Sequence, residues 1–260
     1  YTQNTLALTL DASQNATFAG TVNGIPFFTD TARNSMYTHD VSGTATSADG
    51  NTAYGFGALD AITGGDLNTV VGYLAGSAIN SGSNNVLMGY ATGDALTTGS
   101  DNVAIGYAAL SVENTGNRNV AIGKGALNAL DFDGNGYNTA VGYNAGLAVT
   151  TGVQNILIGG LAGDALTTGG ANVAIGVGAL GLEDTGGRNV AIGYNSLSAL
   201  NYDGFAYTTA VGYAAGVLIT TGLYNTILGA NAGLALTTGG ENVAVGFESL
   251  MTEDAHGRNV

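Results

Sequence analysis

A five-residue stretch, Asn-Val-Ala-Ile-Gly, constrains this chain more than any other feature because it returns in nearly fixed register. It stands unchanged at 102–106, 119–123, 172–176 and 189–193, and eight variants bring the copies to twelve from Asn51 onward. Most copies start 17 residues after the previous one, as Asn119 follows Asn102. Two intervals are longer, at 19 residues, and they begin at Asn119 and Asn189. A unit this short holds too few apolar groups for a core of its own, so the repeats must stack.

The letters of the repeat predict the shape of each coil. As a strand, its Val and Ile share one face and its Ala lies on the other. We expect the Val and Ile inside and the Ala outside, followed by a turn where Thr-Thr-Gly occurs. The sequence therefore predicts an all-β chain, a parallel β-solenoid or β-roll of about twelve 17-residue coils. At ~4.8 Å per strand the rod would be roughly 58 Å long, and glycines with β-branched pairs oppose a helical alternative.

A longer period lies above the coil. The ninth residue of each coil reads Leu, Gly, Gly, Leu three times, which predicts super-repeats at 51–118, 119–188 and 189–258. Residues 1–28 alternate and turn in the manner of a β-hairpin or meander. Residues 29–50 are mostly polar and small, as in a linker, and 51–260 form the solenoid. Because the chain begins at Tyr1 without a signal-like segment, we expect a fragment or a processed product.

Composition excludes several partners. The net charge is −14, with five basic residues of which Lys124 is the only lysine, so a nucleic-acid backbone is not a partner. No apolar run approaches the ~20 residues that span a bilayer, so we expect no membrane insertion. His39 and His256 stand alone, and no nucleophile with a base and an orienting group is evident. The expectation is a protein that is not an enzyme.

The Asn-Val-Ala-Ile-Gly-Tyr motif with its later Thr-Thr-Gly resembles repeats of bacteriophage tail fibres, many of which end in a self-cleaving chaperone of the endosialidase type. It is also similar to the head repeats of trimeric autotransporter adhesins, whose units are shorter. The resemblance covers residues 51–260. It implies a homotrimeric β-rich fibre on a virion or cell surface, and for the tail-fibre class a segment that serves host attachment. Its implied partners are its own copies, other fibre or baseplate proteins, and a host-surface glycan or protein.

Alternatives remain at the level of assembly and function. Small residues at the third and at the seventh to ninth positions would let neighbouring chains approach, which favours a homotrimer over a monomeric solenoid. The functional alternatives are a bacterial trimeric surface adhesin, extracellular on the cell, and an ice-binding solenoid with arrays of paired threonines. The first and fourth coils interrupt those arrays, so the simpler interpretation of the pairs is turn formation.

One stretch has the spacing of a metal loop. Asp131, Asp133 and Asn135 stand at the first, third and fifth positions before Gly136, as in the first half of a calcium loop. The acidic residue expected at the twelfth position is replaced by Gly142. The sequence therefore offers calcium as a cofactor hypothesis, against an acidic loop that merely bulges from the rod.

Other residues are candidates for pairing or contact. The fourth coil of each super-repeat carries a Glu followed by an Arg in one register, predicting structural ion pairs or a polar receptor stripe at Glu113/Arg118, Glu183/Arg188 and Glu253/Arg258. The two longer coils supply candidate contact loops through Phe132, Tyr137, Tyr202, Phe205 and Tyr207. Aromatic residues at the sixth position would either line a sugar-binding face or stack on one another along the rod.

Overall fold

The computed structural model describes residues 47–252 and 254–260 in full, together with the backbone of six short strands between Ala7 and Tyr37. These six are β1 (Ala7–Leu10), β2 (Ala16–Ala19), β3 (Thr21–Val22), β4 (Ile25–Pro26), β5 (Phe28–Asp30) and β6 (Ser35–Tyr37). The pairs β1–β2, β3–β4 and β5–β6 are antiparallel. Strand β6 pairs in parallel with the first strand of the repeats and β5 pairs with β6, so the sheet already includes residues of 29–50, where composition predicted a linker.

Each repeat contributes one short strand, and the twelve strands form a continuous parallel ladder. They are β7 (Thr52–Tyr54), β8 (Thr69–Val71), β9 (Val86–Met88), β10 (Val103–Ile105), β11 (Val120–Ile122), β12 (Thr139–Val141), β13 (Ile156–Ile158), β14 (Val173–Ile175), β15 (Val190–Ile192), β16 (Thr209–Val211), β17 (Thr226–Leu228) and β18 (Val243–Val245). Each pairs with the next in register, within a 14-stranded sheet that also holds β5 and β6. The predicted all-β parallel solenoid is confirmed, and so is the spacing of its coils.

The orientation of the strands is the reverse of the prediction. In β7 to β18 the middle residue, such as Ala104 or Ala121, is buried, and its two neighbours point outward. Ile156 and Ile158 of β13 are 40% and 37% exposed, whereas Leu157 between them is completely covered. Alternation along a strand defines two faces but does not say which one is inside. Both faces of the strand are apolar in this repeat. The prediction placed the larger Val and Ile side chains inside, and this choice was wrong.

The four-coil period reflects how large and small side chains alternate in the interior of the rod. We number the coils from 1 to 12, starting with the coil that begins at Asn51, and the positions within each coil from its first residue. A coil with Ala at position 3 usually has Leu at position 9, as with Ala104 and Leu110. Where position 9 is Gly, position 3 is often large: a Cβ on Gly163 would lie 2.8 Å from Leu157 Cδ2. Coil 6 is small at both places, and Leu157 of the next coil fills the gap beside Gly146. Large and small side chains thus alternate to keep the interior filled.

The corners of the coil depend on unusual backbone conformations. Position 5 is Gly throughout, with φ near +140° at Gly72 and Gly142, a region that side chains other than glycine rarely adopt. Positions 7, 9 and 17 lie in the left-handed region even where they carry side chains, as Leu127 and Tyr224 do. Main-chain hydrogen bonds join most of these corners to a neighbouring coil, for example from Gly72 N to Tyr54 O of the preceding coil at 2.8 Å. The coils are therefore bonded to one another around the perimeter and not only at the strand.

A buried ladder of asparagines runs beside the strands. In all but one coil, position 1 is an Asn with almost no exposed surface. Asn155 is typical: its main-chain N–H donates to Asn138 Oδ1 at 3.0 Å, and its Nδ2 donates to Asn138 Oδ1 and to Gly169 O. The side chain thus satisfies polar groups of two coils at once, which buried amides require. This explains why Asn is the most regular side chain of the repeat.

Thr208 interrupts this ladder, so we expect Thr208→Asn to stabilise the rod. Thr208 Oγ1 accepts a long bond, 3.4 Å, from Asn225 N, where an asparagine would reach closer and also accept from the Asn225 amide. We expect a gain of about 1 kcal/mol in the free energy of unfolding. Urea unfolding followed by circular dichroism measures it.

Thr209→Asn is the matched control, since the neighbouring side chain points outward from β16. It should leave stability unchanged or lower it slightly, because Asn is a poor strand residue. Slower hydrogen exchange at the amide of residue 225 should accompany the gain in Thr208→Asn alone. Equal effects of the two substitutions would contradict the role assigned to the ladder.

Candidate functional site

The ion pairs predicted for Glu113 and Glu183, in the first two super-repeats, do not form. Glu113 and Glu183 take position 12, which is Leu, Ile or Val in the coils around them, and both are completely buried in the core. Glu113 Oε1 accepts from the N–H of Gly116 at 2.6 Å, and its Oε2 accepts from the N–H of Phe132 in the next coil at 3.2 Å. Because backbone groups take both oxygens and Arg118 points away from the core, the prediction that Glu113 pairs with Arg118 is wrong.

Glu183 repeats the arrangement one super-repeat later. Its oxygens accept from the N–H of Gly186 at 2.6 Å and of Tyr202 at 3.2 Å. Burial raises the pKa of Glu113 and of Glu183 above the usual range for glutamate, and the bonds from backbone N–H groups offset part of that rise. The predicted pairing of Glu183 with Arg188 is therefore wrong as well. Glu253 lies outside the described residues, so the third predicted pair is left untested.

The reason for these glutamates lies in the two-residue insertions of coils 5 and 9. In an ordinary coil the N–H at position 15 donates to the carbonyl at position 13 of the next coil, as Gly152 does to Thr167. The insertion displaces that carbonyl from Gly116 and Gly186, and the glutamate replaces it. The carboxylate also holds the first turn of the inserted loop. A buried Glu before a longer coil is thus a structural anchor for the loop.

The arginines at this register point outward and pair with other partners. Arg118 Nε lies 3.5 Å from Asp101 Oδ2, and its Nη1 donates to Tyr137 Oη at 2.8 Å. Arg258 Nε donates to Glu241 Oε2 at 2.8 Å. All these residues occupy the last position of a coil, so acid, arginine and tyrosine succeed one another along one edge of the rod. Exposed pairs of this kind contribute little to stability.

Arg188 belongs to an aromatic cluster on the same edge. Its guanidinium lies 4.0 Å from the ring centroid of Phe205 and 5.5 Å from that of Tyr207, whose Oη accepts a hydrogen bond from it. Tyr207 stacks in turn on Tyr224, with centroids 5.8 Å apart and ring planes at 13°. Phe205, Tyr207 and Tyr224 are all about half exposed. The cluster is the densest aromatic surface at this edge.

The structure separates the predicted contact residues into two groups. Phe132 and Tyr202 pack against the hydrophobic core and are half-buried, so they fix the loops rather than present them. Tyr137, Phe205 and Tyr207 are exposed. Only this second group is open to a binding partner.

Two residues of the calcium candidate, Asp133 and Asn135, contact the previous coil of the rod. Asp133 Oδ1 accepts a hydrogen bond from Thr115 Oγ1 of the previous coil, and the backbone of Asn135 bridges that of Asn117. Within residues 47–252 and 254–260, no three His, Cys, Asp or Glu side chains come together as a metal site. Asp131 and Asp133 are exposed. Calcium binding by Asp131, Asp133 and Asn135 stays an untested prediction.

The sixth-position aromatics stack along the rod. Phe56, Tyr73, Tyr90 and Tyr107 form a row with centroids 5.2–5.8 Å apart and nearly parallel planes. Lys124 continues the row, its Nζ lying 5.6 Å from the ring centroid of Tyr107. Inside such a row the ring faces cover one another and are not open to a sugar. Of the two alternatives for these aromatic residues, a sugar-binding face or stacking along the rod, this arrangement fits stacking.

A groove crosses coils 10, 11 and 12 next to the aromatic cluster. It has a volume of about 510 Å³, and its lining includes Thr221, Leu223, Tyr224, Thr238, Glu241 and Arg258. The sequence reasoning missed Tyr224 and Glu241 because neither lies in an inserted loop. Both stand at the last position of a coil, and following that position along the repeats would have aligned them with Tyr207 and Arg258.

A comparison with models of protein families finds no match, and comparisons with curated proteins and with solved structures find none either. No helix in the part of the chain that the structure describes is long and apolar enough to cross a membrane. The class is therefore defined by the fold itself, a parallel β-solenoid with an outward apolar sheet face and a polar and aromatic edge.

Proposed function

We propose that this chain is a structural segment of a homotrimeric fibre, of the bacteriophage tail-fibre type, that serves attachment to a host surface. In this assignment the segment is a stiff rod, no residue has a catalytic role, and the fibre is located on the virion surface. The repeat motif supplies the resemblance to tail fibres. The observation that carries the trimer is the outward face of the sheet.

That face is apolar over most of its length. Positions 2 and 4 of the coils are mainly Val, Ile, Thr, Leu and Met, and Met88, Ile156 and Leu228 are each at least 40% exposed. Long exposed apolar surfaces are characteristic of interaction sites. Three copies meeting by these faces would bury them around a common axis. This replaces the argument from small residues, since the alanines at positions 3 and 8 of the coils, such as Ala104 and Ala109, lie inside the rod.

A bacterial trimeric surface adhesin is the first alternative, because the same face would serve it equally. The two differ in the rest of the gene: an adhesin requires a membrane anchor, and a tail fibre requires a domain for virion attachment. The sequence of the complete gene separates them.

An ice-binding solenoid is the second alternative, and the threonine contacts weigh against it. The first hydroxyl of each Thr-Thr-Gly turn donates to a carbonyl of the following coil, as Thr150 does to Thr167 O and Thr237 does to Asp254 O. These hydroxyls are used in stacking the coils, as turn formation implies. Absence of thermal hysteresis in a solution of the protein would remove this alternative.

We expect Ile158→Lys to dissociate the trimer. Ile158 lies in β13, near the middle of the outward face, where assembly would bring three new charges into an apolar contact. The side chain is already 37% exposed in the single chain, so its folding should be little affected. Sedimentation velocity should show a species near the 25.7 kDa of one chain.

Leu182→Lys is the matched control. Leu182 is an exposed apolar residue, 59% exposed, that does not belong to the strand face. This variant should retain the mass of the unmodified protein. An Ile158→Lys protein that remains a trimer would contradict the proposed interface.

A further inference from the structure

The groove beside Tyr224 has the chemistry of a ligand site, although no inserted loop forms it. Its volume of about 510 Å³ is within the ~300–1,000 Å³ typical of small-molecule sites. It combines an aromatic ring, a carboxylate, a guanidinium and the exposed hydroxyls of Thr221 and Thr238. From this combination we propose that the groove binds a neutral oligosaccharide. The proposal rests on the attachment function proposed above and identifies where attachment takes place.

The ring of Tyr224 supplies the apolar contact. One of its faces is covered by Tyr207, at 5.8 Å between centroids, and the ring is still 55% exposed. Since Tyr224 also lines the groove, part of its uncovered surface faces the groove. Stacking on Tyr207, which Arg188 holds from the other side, fixes the ring in place. A rigid aromatic side chain loses little conformational freedom on binding, and this favours affinity.

The polar groups indicate the charge and class of the ligand. Glu241 and Arg258 neutralise each other at 2.8 Å, so the groove offers donors and acceptors without net charge. That pattern fits the hydroxyl groups of a sugar better than a phosphate or a carboxylate. The net charge of −14 also opposes an acidic polymer. A peptide would need an apolar pocket for an anchoring side chain, and the aliphatic residue here, Leu223, packs against the core instead.

The other super-repeats show what distinguishes this groove. Their equivalents of Tyr224, Glu241 and Arg258 are Asn84, Asp101 and Arg118 in the first and Gln154, Ala171 and Arg188 in the second. An aromatic ring at this place is therefore found in the third super-repeat only. This difference predicts one binding region per chain, formed by coils 10 to 12 and supported by Tyr207 of coil 9.

The test is a printed array of purified bacterial surface polysaccharides, both neutral and acidic, probed with the full chain. We expect retention on neutral glycans and, in calorimetric titration with the best of them, at least about tenfold weaker binding by Tyr224→Ala. The control is Tyr213→Ala in the same coil, which removes a ring of similar exposure that stacks on Tyr194. It should change affinity less than twofold.

Several outcomes would overturn the proposal: no retention on any glycan, retention on acidic glycans alone, or equal losses in the two variants. Should Tyr224→Ala not fold, Glu241→Gln takes its place, because this side chain is exposed and the replacement has the same shape. It should weaken binding while the circular dichroism spectrum stays unchanged, and full affinity would count against the site. The mass of the same sample is measured in parallel, so a trimer without glycan binding refutes the groove and leaves the fibre proposal standing.

Discussion

Replacing Gly142 with Ala should destabilise the rod by about 3–5 kcal/mol, a large effect for the addition of one methyl group. Gly142 has φ +144°, and a Cβ there would lie 2.4 Å from Gly159 O and 2.5 Å from Gly159 C in the next coil. Backbone atoms on both sides cannot move away without breaking the hydrogen bonds between coils. Thermal unfolding followed by circular dichroism should show a lower transition temperature.

Gly160→Ala is the control for this substitution. Its position is next to the equivalent glycine of coil 7, its φ is not positive, and the nearest atom to a new Cβ is Tyr143 O at 4.0 Å. This variant should unfold within about 0.5 kcal/mol of the unmodified protein. Equal stability of the two alanine variants would show that the coils leave room for a methyl group at Gly142 and stack less closely than the 2.4 Å approach to Gly159 O requires.

Replacing Glu183 with Leu should cost about 2–4 kcal/mol, even though Leu occupies the same position in neighbouring coils. The change leaves the N–H groups of Gly186 and Tyr202 without their acceptor, and each such loss costs ~1–3 kcal/mol in a buried place. Removal of a buried carboxylate offsets part of this. The cost of the lost hydrogen bonds exceeds this gain, because the insertion has displaced the backbone carbonyl that accepts from the equivalent N–H in an ordinary coil. Faster hydrogen exchange at residues 186 and 202 should accompany the lower stability.

Glu248→Leu is the matched substitution at an exposed glutamate. Leu is found at the same coil position with the same left-handed backbone, at Leu74 and Leu161, so no new strain arises. Stability and exchange at residues 186 and 202 should be unchanged. If Glu183→Leu proved as stable as Glu248→Leu, the glutamate would not anchor the inserted loop.

The period made most of the fold predictable. Asparagine and glycine recur at fixed positions because both are required by backbone geometry and hydrogen bonding, as at Asn155 and Gly142. Such requirements are local and appear directly as repeated letters. The direction of the strand faces was not predictable in this way, because the residue inside was Ala and the residues outside were Val and Ile. The interior is filled by Leu from position 9, a contact between distant parts of a coil.

The candidate site was less predictable for a related reason. The spacing of Glu113 and Arg118 in the sequence is the same whether their side chains pair or face opposite ways. The backbone conformation at the corner between them determines which arrangement occurs. Arg118 is in the left-handed region, which turns its side chain outward while Glu113 stays in the core. Each of the two has a partner 19 residues further along the chain, in the next coil. Aligning every position across coils, rather than those of the motif alone, would have revealed the edge that includes Tyr224.

The molecular mass of the unmodified protein in solution tests the trimeric fibre most directly. Sedimentation equilibrium over a wide concentration range should give three times the 25.7 kDa of a single chain, without dissociation at low micromolar concentration. Burial of the outward Val, Ile and Met side chains around a common axis predicts this value. A stable species with the mass of one chain, or a dimer of twice that mass, would contradict the account.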